Sequence, residues 1–319
     1  MTITHAQSAP LVAVVGATGL QGGSVIKALA ESDKLYRIRG FTRDATKAAA
    51  EALKKQGVEV VAVNLVVENR EEVYKAFVGA DYVFLVTNYW EHVNQAREIS
   101  EGKLLIDAAK AAGAKGIIWS GLVPVRQISG GKYSKVLHFD SKAQVADYGR
   151  ASSVPFVDVQ AGFYATNFVG PFPLLAKQPD GTYALPWAAR PSTVVPVIDI
   201  EHDYGLFVRR VLEAPVFPDG QTVYTASEDI SAEDMARQIA EITSQKVVFK
   251  QITPEDAAQK FIADGFPSAA ATDAVEGFLF FDEFGYYGGK PSASSEGLAR
   301  PTRTFAEFVK SADWSKVFV

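Results

Sequence analysis

The sequence predicts an α/β protein: a doubly wound parallel sheet with a smaller α/β domain attached. Three observations carry that prediction. Over residues 1–160, short apolar runs alternate with helix-forming segments, the rhythm of right-handed strand–helix–strand crossovers. The runs at 11–15 and 81–86 are of the buried type, while 36–41 alternates, and strands that alternate with helices in this way form a parallel sheet covered on both faces. The first run ends in a glycine turn that opens a helix.

Taken in order, residues 11–15 form the first strand, followed by Gly16, Gly19 and Gly22 in the spacing G-x-x-G-x-x-G. Glycine lets the backbone bend hard and lets a ligand come close. The helix beginning near Ser24 leaves free N–H groups and a positive dipole end, which suits a phosphate or pyrophosphate. Residues 36–41 read as the second strand, and the Ala- and Lys-rich stretch 45–56 as a helix closed by Gly57, with Asp44 as its N-cap. A strand at 58–63, a helix at 68–77, a strand at 81–86 and a helix running to about 112 follow, the last with Ile99, Leu105, Ile106 and Ala109 as its inner face. Strands at 115–119 and 155–159 flank a helix at about 134–151.

Beyond residue 161 the rhythm changes. Residues 163–173 are aromatic, Pro-bearing and loop-like, and 181–187 resemble hairpin material. A strand at 194–199, a helix at 201–213 and a strand at 221–225 return to the earlier pattern. Ser231 with Asp234, Thr253 with Pro254, and Thr304 with Glu307 mark three helix starts. The expected division is a nucleotide-binding domain of residues 1–160 plus about 193–230, and a smaller domain of about 161–192 and 231–319.

Composition narrows the function. A chain of 319 residues, 48% hydrophobic and 22% charged, can bury a large core. A net charge of −5 argues against a general grip on nucleic acid or anionic membrane. The absence of cysteine excludes disulfides, thiolate metal sites and cysteine nucleophiles, and the four scattered histidines suggest no metal site. The first eight residues have neither the basic start nor the apolar core of a secretory signal, and no run approaches membrane-spanning length. A cytoplasmic protein with access to the nucleus is the expectation.

In a parallel sheet, ligands sit beyond the carboxyl ends of the strands. The glycine turn, Arg43, Asn64, Thr87, Asn88, Ser120 and the segment after Val159 collect there. At the end of the second strand, where an acid would bind the ribose hydroxyls of NAD, the chain has Phe41-Thr42-Arg43. A guanidinium there fits a 2′-phosphate, with Thr42 as a hydroxyl donor and Lys47 as a second positive charge. NADP(H) is therefore favoured over NAD(H).

The turn Gly-Ala-Thr-Gly-Leu-Gln-Gly-Gly at 16–23 resembles the glycine motif of the NmrA-like family, a branch of the atypical short-chain dehydrogenase/reductases. Residues 84–91, 107–113, 118–122, 138–142 and 162–168 also resemble family segments. The resemblance runs from about residue 11 to 310. It implies a Rossmann domain in which Gly16, Thr18, Gly19, Leu20, Gln21 and Gly22 line the pyrophosphate and Arg43 meets the adenosine phosphate. Asn64 and Leu65 would flank the adenine, and Thr87, Asn88 and Tyr89 would pass near the ribose. Lys142 would reach the nicotinamide ribose, with Phe163, Tyr164 and Asn167 over the nicotinamide end. The family includes transcriptional regulators, a sensor of the NADPH/NADP ratio and working reductases.

A standard short-chain reductase pairs a serine with Tyr-x-x-x-Lys, the tyrosine giving a proton as hydride arrives. Here Ser120 and Lys142 occupy the serine and lysine places, and His138 stands where tyrosine would. His138 and Lys142 lie one turn apart on a helix face. The pair admits three roles: His138 as proton donor, Lys142 as cofactor ligand in a silent site, or a plain helix surface. Tyr164 and Tyr133 are alternative hydroxyl donors. Trp90, Phe163, Tyr164, Phe168, Phe172 and Trp187 can floor a pocket or simply pack a core. The leading expectation is an NADP(H)-binding redox-sensing regulator that changes its grip on a protein partner. The competing one is an NADPH-dependent reductase of a small hydrophobic carbonyl, quinone or imine.

Overall fold

The apolar runs at the head of the chain pair in parallel, and their pairing order fixes where a ligand can sit. A computed structural model describes residues 3–319. Met1 and Thr2, part of the stretch read as unlike a secretory signal, lie outside the described residues. The elements are β1 (Leu11–Val14), α1 (Leu20–Ala30), β2 (Arg37–Thr42), α2 (Ala48–Lys55), β3 (Glu59–Ala62), α3 (Arg70–Phe77), β4 (Tyr82–Leu85) and α4 (Gln95–Ala111). Next come β5 (Gly116–Trp119), α5 (Val125–Ile128), α6 (Leu137–Arg150), β6 (Phe156–Gln160), β7 (Phe163–Tyr164), β8 (Ala176–Lys177), β9 (Tyr183–Trp187) and β10 (Val194–Ile198). The chain finishes with α7 (Tyr204–Glu213), β11 (Thr222–Tyr224), β12 (Glu228–Ser231), α8 (Ala232–Thr243), β13 (Val247–Gln251), α9 (Pro254–Ala263), α10 (Ser268–Phe284) and α11 (Phe305–Ser311).

Seven strands make one parallel sheet in the order β11-β6-β5-β4-β1-β2-β3. The chain runs outward from β1 to β3, returns beside β1 as β4 and continues the other way. The order reverses between β1 and β4, so the crevice that such sheets use for ligands opens beside the glycine turn. Alternate side chains of the strands enter opposite layers. Val12 and Val14 join Ile26, Leu29 and Phe207 of α1 and α7. Ala13 and Val15 join Phe77, Leu105 and Val145 of α3, α4 and α6. This two-sided burial is why β1 reads as an unbroken apolar run.

Two three-stranded sheets stand apart from the large one. In the first, β10 lies between antiparallel β12 and parallel β7; in the second, β9 lies between parallel β13 and antiparallel β8. They enclose an aromatic core that includes Phe163, Phe168, Trp187, Phe278, Phe280 and Phe305.

The three predicted helix caps form. Ser231 accepts from the Asp234 amide (3.1 Å), Thr253 from the Asp256 amide (3.1 Å), and Thr304 with Glu307 completes a capping box. Asp44, expected as the cap of α2, instead accepts from the amide (2.8 Å) and hydroxyl (2.6 Å) of Thr46. Its carboxylate is used in that local turn, and α2 begins at Ala48 behind Lys47. The segment read as loop at 163–173 contributes β7, because Phe163 and Tyr164 find parallel partners in Val197 and Ile198. Strands β12 and β13 and the long helix α10 have no counterpart in the sequence expectations. Buried residues ring much of α10, so no polar stripe marks it.

Candidate functional site

The site starts at the glycine turn. Gly16 has φ +67°, a left-handed conformation that favours glycine. A Cβ on Gly22 would lie 2.2 Å from the Gly16 carbonyl oxygen, so the first turn of α1 rests directly on the backbone of the turn. Gly19 is the N-cap of α1, no side chain caps the helix, and its first turn holds no acid. Gly16, Thr18, Gly19 and Leu20 are exposed. An exposed helix N-terminus without a capping side chain, over a cradle that a Cβ would fill, fits a dinucleotide pyrophosphate.

At the carboxyl end of β2, Arg43 is exposed and its guanidinium donates to Glu91 (2.6 Å), just past the end of β4. An exposed pair of this kind is worth little and yields easily to a phosphate. A groove of about 540 Å3 runs along the edge strand β3 and is lined by Arg43 and Asn64 together with Arg39, Val63 and Lys75. Two residues expected at the adenosine end thus share one groove. Thr42 is half-buried and bonds within its own turn to Asp44, while Lys47 and Asn88 are exposed and Leu65 is half-buried.

At the other end of the crevice, Gln21 and Ser120 come together: the Gln21 amide donates to the Ser120 hydroxyl oxygen (2.6 Å). Ser120 is buried. Thr87 and Lys142 also meet. The Lys142 ammonium donates to the Thr87 carbonyl (2.8 Å), the Thr87 hydroxyl (3.0 Å) and the Glu98 carboxylate (2.7 Å), which uses all three of its hydrogens. Glu98 in turn accepts from the hydroxyls of Thr87 (2.7 Å) and Ser141. Burial alone would raise the Glu98 carboxyl, but the Lys142 ammonium and these hydroxyls outweigh it and hold it below the usual range. Lys142 is further fixed by its backbone, whose carbonyl accepts from the Trp119 indole (3.1 Å).

One turn earlier on α6, His138 is held from the opposite side. Asp273 of α10, fully buried, accepts from the His138 backbone amide (3.1 Å) with one oxygen and contacts the imidazole Nδ1 with the other. The ring lies among aromatics, with centroids of Phe139 at 4.7 Å, Trp90 at 4.8 Å and Tyr89 at 6.0 Å. Burial, with help from Asp273 and Glu98, raises the Tyr89 phenol well above its usual value.

The remaining expected residues separate into two kinds. Phe163 is buried in the aromatic core against Trp187 (5.5 Å) and Phe278, so its ring is packing. Tyr164 is half-buried with its phenol raised by burial, and Asn167 is exposed. The alternative donor Tyr133 is committed elsewhere, giving its hydroxyl to Glu283 (2.7 Å). No cluster of metal-ligating side chains occurs among the described residues.

Glu98 and Asp273 are absent from the sequence expectations. Each carries a weak signal. Glu98 lies seven residues before Leu105 and four before Gly102, on the buried face of α4; Asp273 lies between Ala270 and Gly277 on the buried face of α10. A single acid in an apolar stripe is the mark of a buried partner.

A model of the NmrA-like family matches residues 8–309. The NmrA-like family domain-containing oxidoreductase malD of Malbranchea aurantiaca is 32% identical over 261 residues, covering 76% of this chain and 75% of that protein. Among solved structures, NmrA, a negative transcriptional regulator, in complex with NADP superposes with a TM-score of 0.78 at 23% identity, covering 96% of this chain and 95% of that one. An NADPH-dependent quinone oxidoreductase from Escherichia coli in complex with NADPH superposes with a TM-score of 0.75 at 22% identity, covering 93% and 98%. At these identities the two structures establish the shared fold.

Proposed function

The chain belongs to the NmrA-like family, and from that premise we propose that it is an NADPH-dependent reductase of a small hydrophobic carbonyl, quinone or imine. The carrying observation is the pair on α6: His138 and Lys142, one turn apart, each clasped by a buried carboxylate from another helix. A helix surface without a role has no need of two such partners, since each costs the desolvation of a carboxylate. Relatives at the level of malD bear the word oxidoreductase in their names, which supports the same reading.

Gly16 to Gly22 would hold the pyrophosphate, and Arg43, released from Glu91, would take the 2′-phosphate; NADP(H) is therefore preferred to NAD(H). When bound, the reduced nicotinamide supplies a hydride to the acceptor carbon and is itself oxidised. The acceptor oxygen or nitrogen then needs one proton. His138 gives it from Nε2 and regains one from water, which balances the reaction. Lys142 places its positive charge one turn away, and Ser120 offers a hydroxyl already steered by Gln21.

A second reading, a cofactor-sensing regulator, rests on a different observation. Lys142 spends all three hydrogens on Thr87 and Glu98, so a ribose that drew on it would disturb α4 and the turn after β4. Such a change could alter the grip on a protein partner. NADPH oxidation measured with a panel of quinones, aldehydes and imines separates the two. Turnover that is lost in Lys142→Met and reduced in His138→Phe supports the reductase. Tight NADPH binding with no turnover across the panel sinks it.

A further inference from the structure

We propose that Asp273 is a positioning residue that locks the His138 imidazole with its proton on Nδ1 and leaves Nε2 as the working nitrogen. The inference rests on the reductase reading and adds a residue 135 positions away in sequence from His138.

The argument is one of satisfied valences. Asp273 is wholly inaccessible to water. A buried carboxyl group keeps its hydrogen-bond partners or pays heavily for losing them. Asp273 uses one oxygen as acceptor for the His138 backbone amide, and its other oxygen faces Nδ1 of the same residue. A carboxylate accepts and does not donate, so the hydrogen between them belongs to Nδ1. The hydrogen bond from the His138 backbone amide fixes the carboxylate against the helix start, and the hydrogen bond from Nδ1–H then fixes the plane of the ring. Nε2 has no protein hydrogen-bond partner among the described residues.

The surrounding charges fit this arrangement. The other titratable groups near the dyad are the Tyr89 phenol on the turn after β4, and Asp140 on α6 itself, whose carboxyl burial raises and the charge of Asp273 raises further. Lys142 and Glu98 form a separate closed pair one turn on. No cation other than the imidazole is paired with Asp273 among the described residues. When His138 carries a second proton, the carboxylate is its counter-charge, and the proton lost to an acceptor leaves from Nε2. Orientation of a ring by a buried acid is the part of a proton-transfer site that a neutral amide cannot replace, because an amide can present its NH2 and invert the tautomer.

The test reads the tautomer directly in the full-length chain without cofactor. Nitrogen-15 imidazole spectra at pH 8 resolve the four histidines, and loss of one set in His138→Gln assigns His138. The expected wild-type pattern is Nδ1 protonated and Nε2 bare; in Asp273→Asn the pattern shifts to Nε2–H or a mixture. With an acceptor that turns over, Asp273→Asn should lower kcat on the order of 100-fold or more with KM within about 3-fold. An Nε2–H tautomer in the wild type, or an unchanged tautomer in Asp273→Asn, overturns the proposal. The wild-type spectrum decides alone if the variant does not fold. A locked tautomer with no turnover of any acceptor overturns the reductase reading, and the dyad's role with it, while the lock itself stands.

Discussion

Replacing Glu98 by Gln should destabilise the protein by removing the carboxylate that pairs with the buried Lys142 ammonium. The side chains of Lys142 and Glu98 are 12% and 3% exposed, so water screens the pair weakly. Breaking a buried pair from one side typically costs about 3–5 kcal/mol, because the surviving charge stays buried. With an unfolding entropy of about 2.1 cal/mol/K per residue, a chain of 319 residues loses about 4–7 °C in Tm. Melting curves of wild type, Glu98→Gln, Lys142→Met and the double variant make a cycle. If the clasp is the cause, the second change costs little once the first is made, and the coupling exceeds about 2 kcal/mol. The sign with pH follows from the lowered Glu98 carboxyl. Its stabilisation is complete above the ordinary carboxyl range and disappears as pH falls through the depressed folded value, so the gap between wild type and variant closes in acid. A Glu98→Gln melt within about 1 °C of wild type at pH 7, or purely additive costs, refutes the reasoning.

Three further outcomes follow from the same structure. Gly22→Ala, whose Cβ would lie 2.2 Å from the Gly16 oxygen, should cost about 1–3 kcal/mol in a denaturant melt and weaken dinucleotide binding in calorimetry; an unchanged melt and affinity would contradict the cradle. Arg43→Ala should weaken NADPH far more than NADH in the same calorimeter, and equal losses would remove the 2′-phosphate assignment. Asp158 is pushed up to about 6 by burial, against the opposing pull of Gln160 and Arg150, so it destabilises the fold above pH 6 and not below the ordinary value of 3.8. Asp158→Asn should therefore stabilise by on the order of 2–3 kcal/mol at pH 8 and not at pH 4. The Gln160 side chain, whose Nε2 donates to Asp158 and whose buried Oε1 has no partner among the described residues, can turn to accept from the new amide.

The parts of the fold most legible in sequence were those that rest on burial from two sides and on backbone conformation. Residues 11–15 read as a strand because both helical layers bury them, and Gly16 reads as a turn because its φ is positive. Ser231, Thr253 and Thr304 were legible because a cap acts on residues three positions away. Asp44 misled because a neighbouring hydroxyl, Thr46, competes for the same carboxylate. Helix α10 was hidden because packing on several sides erases the amphipathic stripe that periodicity needs. Half of the candidate site was equally hidden. Lys142 and His138 were visible as a spaced pair on one helix, whereas Glu98 and Asp273 reach them across 44 and 135 residues. A contact of that span leaves no local pattern, only an acid where an apolar residue would otherwise stand.

The length of that second span has a consequence for the birth of the protein. A ribosome adds about 5–20 residues per second, so Asp273 leaves the exit tunnel on the order of 10 s after His138. During that interval the glycine turn and the first six strands of the large sheet have already been synthesised, while Asp273 is not yet available to the imidazole. Synthesis of the glycine turn and the pairing of His138 with Asp273 are thus separated in time, and a chain shortened before α10 would lack the pairing.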